Sequence, residues 1–130
     1  MSSRILSVVI LLTLLHSPVK AEEPQADGAA KFQTYCAACH VVNPPPKAAP
    51  PVRGIVMHYR GEVATSEEFQ KAVADFVRDP VKAHPRLPGA VQRFGQMPTF
   101  PLPEEDLRLI AKWMWEQGGG CQPGSSVSVE

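Results

Sequence analysis

Eleven of the fourteen prolines lie in two stretches, residues 43–51 and 80–103. Proline has no amide hydrogen, and it pushes the preceding residue out of the α region. Neither stretch can therefore be a continuous helix. The first, NPPPKAAPP, reads as a stiff extended loop. The second holds six prolines, two glycines and short apolar pieces, and reads as a long irregular segment. A segment of that length in a small domain usually wraps something or carries function. Residues Gly54 to Gly61 run apolar and then polar, without a clear period.

Three windows remain for helices. The first is expected from about Gly28 to Cys39, with Asp27 as its cap and residues 22–27 frayed. The second opens on Thr65 and Glu68, the two ends of a capping box. Phe69, Ala72, Val73, Phe76 and Val77 then recur at i, i+3, i+4, i+7 and i+8, one buried face, and Pro80 stops it. The third is expected from about Glu104 to Gln117. Its three leading acids suit the positive end of a helix dipole. Leu107, Ile110, Ala111 and Met114 form its stripe, with Trp113 and Trp115 at the edges. No strand shows convincing alternation, so the fold class is all-α. Only 7% of the residues are aromatic, and so small and proline-rich a chain needs a staple: disulfides, a metal or a cofactor.

Residues 1–21 read as a secretory signal peptide, with Arg4 followed by an apolar run from Ile5 to Leu15 and cleavage after Ala21. Eleven helical residues span about 16 Å, half a hydrocarbon core, so the run is too short for a membrane anchor. The domain is placed at residues 22–117, and residues 118–130 are read as a flexible tail. Without its leader the chain carries a formal charge of −2. That excludes a basic footprint for nucleic acid, and no later segment resembles a membrane span. The expected location is the periplasm, an oxidising compartment.

In that setting Cys36-Ala-Ala-Cys39-His40 is decisive. C-x-x-C-H is the arrangement for attaching haem through two thioethers, with the histidine on the iron. A thioredoxin-like pair needs flanking strands, and a structural zinc site needs four ligands. Neither requirement is met.

With these residues in place, the chain resembles the class I monohaem cytochrome c family over about residues 27–117. Gly28-x-x-x-Phe32-x-x-x-Cys36 has the family's spacing of glycine, aromatic and first haem cysteine. Trp113 looks like the counterpart that meets Phe32 where the first and last helices cross. Pro50-x-Val52-x-Gly54 is similar to the loop after the haem motif, and Phe94-Gly95-Gln96-Met97-Pro98 to the methionine loop. The resemblance implies a cytochrome c fold, three main short helices and long loops around one covalent haem c. It also implies that the second nitrogen of His40 donates to the Pro50 carbonyl. The sixth-ligand candidates are Met57, His58, His84, Met97 and Met114. Met97 is chosen, in its proline-rich loop before the last helix. Arg53, Arg60 and Arg93 are candidates for pairing with the haem propionates.

The expected function is a soluble periplasmic electron carrier, not an enzyme, with Cys36 and Cys39 holding the haem and His40 and Met97 on its iron. Its partners would be donor and acceptor redox proteins. Two alternatives stand beside it. One is an electron-transfer subunit of a larger redox complex, with Cys121 in the Gly-rich tail as a pairing point. The other is a five-coordinate sensor or peroxidase, with His58 as the distal group.

Overall fold

The computed structural model describes residues 24–83 and 86–119. The expected signal peptide, His84 and residues 120–130 of the tail, Cys121 among them, lie outside the described residues. Those described contain five helices: α1 Pro24–Tyr35, α2 Val52–Tyr59, α3 Ser66–Arg78, α4 Pro88–Phe94 and α5 Glu104–Gln117. No strand occurs among them, which bears out the all-α class.

Helix α5 is the hub, with α1, α2 and α3 all packed against it. Its bounds match the sequence expectation, and Glu104, Glu105 and Asp106 occupy its first turn. Leu107, Ile110, Ala111, Trp113 and Met114 are buried, while Trp115 is half-buried, its ring centroid 5.3 Å from that of Phe69. Helix α3 carries the capping box in full: the Thr65 side chain accepts from the Glu68 amide, and the Glu68 carboxylate accepts from the Thr65 amide.

Helix α1 crosses α5 at Gly28. A Cβ there would fall 2.7 Å from the Trp113 Cβ and would also collide with the Leu109 carbonyl oxygen. Only a glycine lets the two backbones come this close. One turn on, Phe32 stacks on Trp113, and Lys31 pairs with Asp106 at 2.9 Å. The three-residue contact expected from the sequence is present.

Three expectations need correction. Helix α1 begins at Pro24 rather than Gly28, because proline is well suited to a first helical position. Asp27 therefore lies in the first turn and is not the cap. The helix also ends at Tyr35, before the cysteines. The Phe32 carbonyl accepts from both Cys36 and Ala37 amides, and the chain leaves the ladder in a turn over residues 36–39.

Residues 52–59 are helical, not irregular. Val52, Val56 and Tyr59 make the buried face, a period lost when the segment is read from Gly54. Its first-turn amides, which a helix cannot satisfy internally, donate outward. Val52 donates to the Val41 carbonyl at 2.8 Å and Arg53 to the Val42 carbonyl at 3.1 Å. From this helix Arg53 donates to the Gln117 carbonyl and Arg60 to the Trp115 carbonyl. Two cations thus cap the negative end of α5.

The segment 80–103 contains a two-turn helix, α4, opened by Pro88 and ended by Gly95. Gly95 adopts φ 81 and ψ 179, a backbone region that belongs almost entirely to glycine.

Candidate functional site

A cavity of about 330 Å³ opens between the turn after α1, helix α3, helix α4 and the loop that precedes α5. That volume is typical of a small-molecule or cofactor site. Cys36, Cys39 and His40 line it from one element, and Met97 lines it from the loop. Phe76 and Val77, the half-buried end of the α3 stripe, face the same space, which is why this apolar face does not close on α5 alone.

The position of His40 follows from its neighbours. Its amide donates back to the Cys36 carbonyl at 2.9 Å, and the next two carbonyls are fixed to the start of α2. The ring lies 2.8 Å through Nδ1 from the Pro50 carbonyl oxygen. A carbonyl only accepts, so Nδ1 carries the proton and Nε2 keeps its lone pair. Such a hydrogen bond fixes the tautomer and orientation of a ligating histidine. Burial holds the imidazole below the usual histidine range, against the raising effect of the Pro50 carbonyl. The ring is thus a neutral, oriented donor. The partner expected from the resemblance, Pro50, is the one found.

The Cys36 thiol is pushed up to about 11 by burial, with a further contribution from Cys39. A redox-active or nucleophilic cysteine needs the opposite, a lowered value. Cys39 is exposed at the edge of the cavity. Both thiols thus border the same cavity, Cys36 half-buried and Cys39 exposed.

Met97 is set by its loop. The Gln96 side chain donates to the Pro80 carbonyl, and the Phe100 amide donates to the Val77 carbonyl at 3.1 Å. Both contacts tie the loop to α3 or its end, so the thioether is held on the cavity from the side of α3 and α4.

The other ligand candidates separate clearly. Met57 is 70% exposed and does not line the cavity. His58 is exposed too, with Nε2 3.4 Å from a Glu62 carboxylate oxygen. Met114 is buried in the core and also reaches the cavity wall. The three arginines singled out from the sequence point elsewhere. Arg53 and Arg60 cap α5, and Arg93 lies over the Phe94 ring at 5.1 Å. The arginine on the cavity is Arg86, which sequence reasoning missed. No local pattern marks it, since it follows Pro85 in an irregular stretch and is aimed by tertiary contacts alone.

The residues present fit a c-type haem on their own chemistry. An apolar space adjoins two cysteines, a neutral imidazole with a committed Nδ1, and a thioether. Comparison with protein-family models, curated proteins and solved structures gives no match for this chain.

Proposed function

We propose that this chain is an exported, periplasmic electron carrier of the class I cytochrome c kind. One haem c would be attached through Cys36 and Cys39, with His40 Nε2 and Met97 as its axial ligands. The observation that carries this reading is the meeting of these four side chains on one apolar cavity, with His40 committed through Nδ1 to Pro50. The bound haem would supply a one-electron ferric–ferrous couple. The chain's own residues give it a carrier's environment. A methionine opposite a histidine raises the potential. The apolar walls keep water away, and the exposed Cys39 puts one edge of the cavity within reach of a partner.

The sensor or peroxidase alternative requires a polar group on the distal side. His58 was its candidate, and His58 faces solvent and Glu62 instead of the cavity.

The test is the visible and near-infrared spectrum of the oxidised and reduced protein, with and without carbon monoxide. The wild type should show the sulfur-to-iron charge-transfer band and bind carbon monoxide poorly. Met97→Ala should lose the band and gain carbon monoxide binding. Met57→Leu, His58→Ala and Met114→Leu should keep the band. Retention of the band in Met97→Ala with loss in Met114→Leu would transfer the ligand role to α5. Rapid carbon monoxide binding by the wild type would overturn the carrier reading.

A further inference from the structure

Arg86 stands out among the residues around the cavity. Its neighbours there include Leu87, Ala90 and Val91, and no Lys, Asp, Glu or other Arg lines the space among the described residues. Its side chain is 38% exposed, so solvent meets part of its charge and Glu62 meets part, accepting from Arg86 Nη1 at 2.8 Å. The guanidinium carbon also lies 5.3 Å from the centroid of the Tyr59 ring. A guanidinium has five N–H donors. Among the described residues, one donor nitrogen of Arg86 has an acceptor.

The surroundings show which way the remaining donors can serve. On its outer side Arg86 borders a shallow depression lined by Glu62, Glu68, Lys71 and Asp75, where carboxylates are plentiful. His58, on α2, shares the Glu62 carboxylate. On its inner side stand Tyr59 and apolar residues, and Gln96 is the amide side chain that the loop contributes to the wall. The outer side is supplied with anions by the protein, and the inner side is not.

We propose that Arg86 is the anion anchor of the cavity, taking the carboxylate of an otherwise apolar guest. Bidentate recognition of a carboxylate is what the guanidinium fork does best. The assignment of the guest as haem rests on the function proposed above, and the propionates are the carboxylates a haem would offer. Arg86 then fixes which end of the guest lies towards the start of α4.

The experiment measures reduction potential across roughly pH 5–9 for the haem-loaded wild type, Arg86→Gln, Arg86→Lys and Arg93→Gln. An ionised carboxylate near the iron favours the ferric state, so the potential falls as pH rises through its titration. A guanidinium beside a carboxylate lowers its pKa by about 1–3 units. In Arg86→Gln that fall should move up in pH by a similar amount. Arg86→Lys, which keeps the charge, should move it less, and Arg93→Gln should follow the wild type. Superimposable curves for the wild type and Arg86→Gln would overturn the proposal, as would a shift confined to Arg93→Gln.

Absence of haem from the wild type would remove the haem reading instead, and the anchor would then be tested with a fluorescent long-chain carboxylic acid and its methyl ester. The wild type should bind the acid about tenfold tighter or more, the worth of one charge-assisted hydrogen bond. Arg86→Gln should erase that preference. Equal binding of acid and ester by the wild type would contradict the anchor.

Discussion

The rings of Phe32 and Trp113 meet with centroids 4.7 Å apart and planes inclined by 40°, joining the first helix to the last. Both side chains are almost fully buried, and the contact sits directly beside the Gly28 crossing. Truncating Trp113 to alanine should cost about 3–5 kcal/mol, as for other buried large aromatics. Trp115→Ala should cost less, because Trp115 is only half-buried between Phe69 and Arg60. Gly28→Ala tests the same crossing from the other side. An alanine gains about 1 kcal/mol of helix propensity over glycine, but its methyl meets backbone that cannot move without separating the helices. The clash should win, with a net loss read as a lower denaturant midpoint.

Gly95 ends α4 two residues before Met97, at a positive φ with no neighbour crowding its Cα. Gly95→Ala therefore tests conformation without a steric clash. It should destabilise the fold by about 1–3 kcal/mol, the range for a residue forced into a sparsely populated backbone region. The altered loop should also weaken the sulfur-to-iron charge-transfer band of the loaded protein. An unchanged midpoint with an unchanged band would show that the loop tolerates another path.

The last turn of the domain extends one residue beyond α5. The Gly118 amide donates to the Met114 carbonyl at 3.2 Å, and a Cβ on Gly118 would collide with the Val56 side chain. Gly118 is thus packed against α2, whereas the sequence placed it in the flexible tail. Gly118→Ala should lower the thermal midpoint, and Val56→Ala in the same chain should make the added loss smaller than in wild type. Simple additivity of the two effects would contradict this contact.

Tyr59 links stability to pH. Burial raises its phenol above the usual tyrosine value, with Arg86 acting in the opposite direction and Glu62 adding to the rise. The folded chain therefore keeps this proton to a higher pH than the unfolded chain. Stability should fall as pH rises above the unfolded value of about 10. Tyr59→Phe should flatten that part of the curve, measured by denaturant titration at successive pH values.

The sequence made α3 and α5 legible because each announces itself twice, by an acidic or capping start and by a repeating apolar face. The Gly28–Phe32–Trp113 crossing and the His40–Pro50 bond were legible through resemblance. Helix α2 was not, because its face begins at Val52, inside the proline-rich flank, and Gly54 interrupts a segment of eight residues. Helix α4 hid among the prolines because Pro88 marks a helix start as readily as a break. Arg86 was invisible for a different reason. Its direction is set by Glu62 and Tyr59, 24 and 27 residues earlier in the chain, and no local pattern encodes that.

Covalent attachment of haem at Cys36 and Cys39 is tested most directly by acid–organic extraction of the purified protein. The haem should stay with the polypeptide, at one per chain. Cys36→Ala and Cys39→Ala should each retain at most a single thioether. Complete passage of the haem into the organic phase, or a wild-type protein without haem, would contradict covalent attachment at these cysteines.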